Sequence, residues 1–154
     1  MPISTPGGAS TKEIWVPTTG YNSGAAWTPL QPGATNETPG ARCDAVNSRA
    51  HTSFRVPHDY VSIVAAELIV VPAATQAAAD WNLNSEYAAI GEAFNTHAEA
   101  EAVVTYNVTN GQDFAVDVAI ILTALAPGDL VGIGLRVGTA GHSVLVVGLR
   151  FRYA

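Results

Sequence analysis

The sequence is poor in charge and has no cluster of basic residues. Charged residues make up 13% of the 154 positions, against about 25% in typical soluble domains. So few charges are typical of a surface that packs against other copies of the chain or against a larger body. The alternative is a compact domain from an alanine-rich proteome. The net charge is −6, and phosphate backbones require clustered cations. Nucleic acid is therefore not expected as a partner.

Other absences concern disulfides, membranes and catalysis. Cys43 is the only cysteine, which excludes a disulfide within the chain. No apolar run reaches the ~18 residues of a membrane span, and the first residues lack the basic and apolar regions of a signal peptide. The sequence has no P-loop, dinucleotide fingerprint, GxSxG or HExxH motif. We therefore expect a protein that is not an enzyme, has no cofactor and does not bind a membrane.

The first 40 residues differ in composition from the rest of the chain. They contain six of the nine prolines, which excludes a helix of any length. The segment "EIWVP" at 13–17 is a short β-like piece within them. Trp15 and Trp27 are too apolar for a free linker, so we expect this arm to dock, either on its own domain or on another body. The predicted division is an extended N-terminal arm at 1–40 and one domain at 41–154.

From residue 41 onward, alternation of apolar and polar residues predicts β-strands. The segments with this pattern, or rich in β-branched residues, are 51–56, 62–73, 79–84, 102–109, 114–118, 130–138 and 143–154. Apolar residues at helical spacing predict one short helix within 117–129, with Asp117 as its cap. Strands without regular strand–helix alternation favour an all-β fold. We predict an antiparallel β-sandwich that resembles a jelly roll.

The alternation also predicts which side chains are buried. In the last strand it places Phe151 and Tyr153 inward and Arg150 and Arg152 outward, where the arginines are either solvated or in contact with another subunit. The predicted core consists of Phe54, Val56, Ile63, Leu68, Val70, Trp81, Val104, Tyr106, Val116, Ile121, Leu122, Leu125, Val131, Ile133, Leu145, Val147, Leu149 and Phe151.

The stretch "GEAFNTH" at 91–97 is either a metal or catalytic cluster or a loop between strands. The other histidines, His51, His58 and His142, do not have the spacing of a metal site, and a local pair of Glu92 and His97 more often fixes a loop. Gly91 allows a turn, and Asn95 and Thr96 can bond to the backbone. We therefore favour the loop, and expect no tightly bound metal.

Acidic residues suggest a weaker alternative. A small hydrolase could use two opposed carboxylates, and the candidates are Glu86, Glu92, Glu99 and Glu101. A carbohydrate-binding sandwich is another alternative, in which exposed aromatic rings stack on sugars. The candidate rings are Trp15, Trp27, Trp81 and Tyr87.

Several stretches together resemble an uncharacterised family of small β proteins from bacteriophage and virome sequences. They are "VPHD" before a long strand, "GEAFNTH", "LAPGDLVG" after the short helix, and "VVGLRFRY" in the last strand. The resemblance covers about residues 41–154, and "TKEIWVP" is similar to the usual entry segment of that family.

The resemblance implies a jelly-roll-like virion component made in the host cytoplasm, such as a capsid decoration protein or a fibre or spike domain. It implies no catalytic residues. The expected partners are other copies of the chain, with a trimer expected by analogy, and virion proteins such as the major capsid protein. A glycan is a further candidate partner. The residues expected to make assembly contacts are Trp15, Trp27, Arg150 and Arg152.

Overall fold

The computed structural model describes residues 10–22, 25–29, 39–101 and 104–154, with only the backbone for residues 21–22 and 25–29. Its elements are β-strands and one 3-10 turn at Ala119–Ile121. The strands are β1 (Lys12–Pro17), β2 (Gly20–Asn22), β3 (Ala25–Pro29), β4 (Pro39–Cys43), β5 (Arg49–Arg55), β6 (Ile63–Pro72), β7 (Gln76–Ala88), β8 (His97–Ala100), β9 (Val104–Val108), β10 (Phe114–Asp117), β11 (Leu130–Val137) and β12 (Val144–Tyr153).

The strands form two antiparallel sheets. The first sheet has the order β10-β6-β12-β4-β3, with β1 also paired to β12. The second has the order β2-β5-β11-β7-β8, with β9 also paired to β7. From β4 to β7, and again from β10 to β12, successive strands alternate between the sheets. This two-sheet order is that of a jelly roll, so the predicted antiparallel β-sandwich is confirmed.

The core lies between the inner faces of the two sheets, where side chains at alternate positions are buried. In β12, Phe151 and Tyr153 are buried whereas Arg150 and Arg152 are partly exposed, as predicted. Most of the predicted core residues are buried. The exceptions, which are only partly buried, are Ile63, Val104, Tyr106, Leu125 and Val147.

Part of the N-terminal arm pairs with the sandwich. β1 lies antiparallel to β12 from Lys12 opposite Tyr153 to Pro17 opposite Gly148, and β2 and β3 pair with β5 and β4. These three strands are docked on the chain's own sheets, which is one of the two alternatives for the arm. The division of the chain at residue 40 stays a prediction, because residues 30–38 lie outside the described ranges.

A β-bulge in β12 allows two strands to share one edge. The register of β12 against β6 shifts between Val146 and Gly148, so Val147 is an extra residue. Before the bulge the neighbour of β12 at this edge is β4, and after the bulge it is β1. The buried Thr18 lies at the junction. Its backbone N–H donates to the Val147 carbonyl at 3.1 Å, and its hydroxyl donates to the Val146 carbonyl at 2.8 Å.

The predicted helix within 117–129 is only one 3-10 turn long. Asp117 does bond to its start, since the carboxylate accepts the Ala119 N–H at 2.8 Å. After Ile121 the chain leaves the helical conformation because side chains of the second sheet bind its backbone. The Ser85 hydroxyl donates to the Ile121 carbonyl, and the Tyr87 hydroxyl accepts the Ala124 N–H at 3.0 Å. Tertiary bonds thus replace the helical ones.

Candidate functional site

The described histidines and the cysteine do not converge on one site. His51 lies on β5, His58 in the turn before β6, His97 at the start of β8 and His142 in the loop before β12. Across the described ranges, no group of three or more His, Cys, Asp or Glu side chains could hold a metal ion. Burial raises the pKa of Cys43 to about 11, so its thiol is not a ready nucleophile.

The candidate carboxylates lie in different environments, and two of them are on strands rather than in loops. Glu86 is exposed on β7, and Glu92 is in the loop. Glu99, on β8, accepts hydrogen bonds from the Tyr87 hydroxyl and from the Thr123 hydroxyl at 2.9 Å. Burial tends to raise the pKa of Glu99, but these bonds outweigh it and lower the pKa. Glu99 is thus a stable anion that holds the 121–124 segment, whereas a general acid must carry a proton that it can donate.

Three of the four predicted assembly residues lie together on the outer face of the first sheet. Trp15 is opposite Arg150, and Glu13 is opposite Arg152, on the adjacent strands β1 and β12. The Trp15 side chain is 51% exposed and lies above Gly148, whose missing Cβ would be 2.7 Å from the indole. The backbone of Trp27 pairs with Ala41 on β4, and its side chain lies outside the described part of the structure.

The two arginines of this face are ion-paired within the subunit. Arg150 donates to Glu67 on β6 from Nε at 2.8 Å and from Nη2 at 2.5 Å. Arg152 lies 3.8 Å from Glu13. The guanidinium group of Arg150 is therefore held in place, and Trp15 is one of the exposed large apolar side chains of this sheet, together with Val64 on β6. The assembly role of all four residues stays a prediction.

Two of the rings expected to stack on sugars are unsuited to that role. Trp81 and Tyr87 are buried in the core, because both lie on the inward-facing positions of β7. Trp81 stacks on Tyr106, and its indole N–H donates to the His142 carbonyl at 2.9 Å. The burial of Trp81 agrees with its place in the predicted core, and neither ring can stack on a sugar as the carbohydrate-binding alternative requires, whereas Trp15 is exposed.

"GEAFNTH" forms most of the loop between β7 and β8, as predicted. Gly91 has a φ of +99°, a conformation that favours glycine. The Thr96 hydroxyl donates to the Ala93 carbonyl at 2.8 Å, and Glu92 accepts the Ala89 N–H at 3.2 Å. His97 does not pair with Glu92 but stacks on Tyr87, with ring centroids 5.0 Å apart.

This loop presents an apolar surface that the sequence analysis missed. Ile90 and Phe94 of the loop are 78% and 72% exposed, and Leu130 at the start of β11 is 62% exposed. All three line one cleft of about 350 Å³, which we call the apolar cleft. Alternation along β11 could have identified Leu130 as exposed, because Val131 and Ile133 face inward and Leu130 therefore faces outward. No comparable signal marks Phe94 within a loop.

A second cleft lies on the same outer face, toward the other end of β11. It has a volume of about 400 Å³, and its polar lining residues are Arg49, Asn82, Asn84, Glu101 and Arg136. We call it the polar cleft. The outward-facing residues of β11 between the two clefts are Gly132 and Gly134. The middle of the central strand therefore carries no side chain on this face.

Comparisons with known proteins add little to this geometry. No family model and no curated protein matches the chain. Among solved structures, the chain is similar to the CBM36-1 domain of a multidomain xylanase from the hindgut metagenome of Trinervitermes trinervoides. The identity is 11%, the TM-score is 0.48, and the match covers 91% of this chain and 96% of that domain. So distant a similarity carries no argument about function, which must rest on the residues of this chain.

Proposed function

We propose that this protein is a non-catalytic structural component of a bacteriophage virion, a capsid decoration protein that assembles as a homo-oligomer. A tail-fibre or spike domain is the alternative placement. The sequence resemblance across 41–154 supports the viral origin. The observation that carries the assembly is the apolar cleft, in which Ile90, Phe94 and Leu130 are each more than three-fifths exposed.

Such a cleft is costly to leave in water. Monomeric proteins rarely expose contiguous apolar patches unless they bind something, and burying apolar surface contributes about 25 cal/mol per Å². Two of the three side chains are aliphatic, and aliphatic groups offer little to the hydroxyls of a sugar. A protein surface is therefore the better occupant.

The charges around the cleft favour a second copy of this chain as that occupant. Glu86 and Glu92 line the cleft, and Arg55 on β5 is directly opposite Leu130 in register. The four ion pairs among the described residues do not include Arg55. Each copy thus offers an apolar centre with acidic groups in its lining and a basic residue on the neighbouring strand, whose Nε donates to the Gly128 carbonyl at 3.3 Å. This mixture of charges suits contact between two copies.

The test is the molar mass of the purified chain, measured by size-exclusion chromatography with light scattering over a range of concentrations. We expect a discrete oligomer for the wild type, and its mass decides whether it is a trimer. Replacing Phe94→Ser and Leu130→Ser together should raise the dissociation constant by roughly 100-fold or more. Val61→Ser is the matched control, because Val61 is 80% exposed and lies outside the cleft.

Two outcomes would overturn the assembly proposal. One is a wild-type chain that stays monomeric at every concentration. The other is a double variant that assembles as well as the wild type. Melting curves of the same samples show whether each variant is folded, so a loss of assembly is not confused with a loss of structure.

A further inference from the structure

The polar cleft contains two arginines that face each other across adjacent strands. Arg49 on β5 and Arg136 on β11 are directly opposite in register, with both side chains on the outer face. Like charges in this position repel and destabilise a sheet. The chain has a net charge of −6 and only seven Lys and Arg residues. It is therefore unexpected that two of these seven lie directly opposite each other.

Among the described residues, no carboxylate lies within ion-pair distance of either arginine. The ion pairs in the described ranges involve Lys12, Arg42, Arg150 and Arg152. Glu101 also lines the polar cleft, but it forms no ion pair with either arginine. The two guanidinium groups thus keep their charge available on one side of the sheet.

One surrounding side chain binds Arg136, and others add neutral hydrogen-bonding groups to the cleft. Arg136 donates from Nη1 to Asn47 Oδ1 at 3.0 Å. Asn82 is opposite Arg136 on β7, and the amide of Asn84 lies over Gly134, whose missing Cβ would be 2.7 Å from Asn84 Oδ1. Burial and the positive charge of Arg49 lower the pKa of His51, so this neighbouring imidazole stays neutral near pH 7.

We propose that the polar cleft binds an acidic saccharide, with Arg49 and Arg136 holding its carboxylate and the amides of Asn82 and Asn84 bonding to its hydroxyl groups. The planar guanidinium fork matches the geometry of a carboxylate, and amides act as both donors and acceptors. Nucleic acid fits less well, because a phosphate backbone needs a longer run of cations. The site does not depend on the assembly proposed above, since it lies at the other end of β11 from the apolar cleft.

The probes are trigalacturonic acid, a neutral galactose trisaccharide, a sulfated heparin-derived oligosaccharide and inorganic phosphate, each titrated calorimetrically at low salt. We expect trigalacturonic acid to bind at least about tenfold more tightly than the neutral sugar. Added salt should weaken this binding. In the variant Arg49→Gln/Arg136→Gln the preference should disappear. Arg152→Gln removes one positive charge from the other sheet and should leave binding unchanged.

The results that would overturn the saccharide site differ from those that would overturn the assembly proposal. Equal binding of the acidic and neutral trisaccharides would overturn the role of the arginine pair. Tighter binding of phosphate or of the sulfated sugar would overturn the carboxylated saccharide as the ligand. Binding that persists in the double variant would place the site elsewhere. If the double variant fails to fold, Arg136→Gln alone serves for the same comparison. The Phe94→Ser/Leu130→Ser variant should bind the acidic sugar normally.

Discussion

Phe151 illustrates how one side chain links the two sheets. It is fully buried on β12, and its ring centroid lies 4.9 Å from that of Phe54 on β5 in the opposite sheet. Tyr60 and Tyr153 also stack on it, at 6.1 and 5.8 Å. Aromatic clusters of this kind contribute beyond the area that they bury.

Replacing Phe151→Ala should therefore lower the free energy of unfolding by about 3–5 kcal/mol, because it leaves a cavity among rings that cannot close it. Chemical denaturation measures the change. Val61→Ala, at an exposed position, should alter the free energy by less than about 0.5 kcal/mol. A loss below about 1 kcal/mol for Phe151→Ala would contradict the central place of this residue in the core.

Residues also show where sequence reasoning reaches its limit. Period-two alternation identified the inward positions of β12 at Leu149 and Phe151. It failed before the bulge at Val147, where the inward residues are Val144 and Val146 rather than the predicted Leu145 and Val147. Alternation also placed Trp81 in the core correctly, whereas Tyr87, which was considered only as a candidate sugar-stacking ring, is buried as well. Arg49 and Arg136 were not singled out either, since their proximity arises from the register of β5 against β11.

At the level of elements, strands with strong alternation were predictable and elements fixed by tertiary bonds were not. β6, β11 and β12 lie within the predicted segments. The four-residue β8 was missed because it is defined by pairing with β7 rather than by its own pattern. Ile121, Leu122 and Leu125 have helical spacing, yet only one 3-10 turn forms. The Ser85 hydroxyl donates to the Ile121 carbonyl and Glu99 accepts the Thr123 N–H, and these bonds shape the segment while Ile121 and Leu122 lie in the core.

The docking of β1 onto β12 depends on close approach at Gly148. A Cβ at this position would lie 2.6 Å from the Val16 carbonyl oxygen and 3.1 Å from Pro17 Cα. Gly148→Ala should force β1 away from the sheet and cost about 1–3 kcal/mol of unfolding free energy. Hydrogen exchange should show faster exchange of the β1 amides.

Gly132→Ala provides the matched control for this change. Gly132 also lies in the middle of a central strand, but the nearest atom to its missing Cβ is 3.8 Å away. We expect the control to unfold with nearly the same free energy as the wild type. Equal stability of the two alanine variants would show that β1 is not held by close packing over Gly148.

For the whole molecule, the two sheets present different outer surfaces. The second sheet carries the apolar and polar clefts, whereas the first carries Trp15 beside the ion pair of Arg150 and Glu67. If copies contact one another through the second sheet, the first sheet is free to face the particle. Deletion of the arm could not distinguish a loss of attachment from a loss of folding, because β1 is part of the first sheet.

A single substitution separates these roles. Trp15→Ser keeps the backbone pairing of β1 and removes the exposed indole, so we expect the chain to stay folded and oligomeric. Its sedimentation with emptied capsids should fall at least about tenfold, as loss of a central aromatic anchor does in other interfaces. Ile120→Ser is the control, because Ile120 is also 51% exposed and lies on the 3-10 turn instead. If Trp15→Ser binds capsids as well as this control does, attachment to the particle lies on another surface, and Trp15 serves only to cover Gly148.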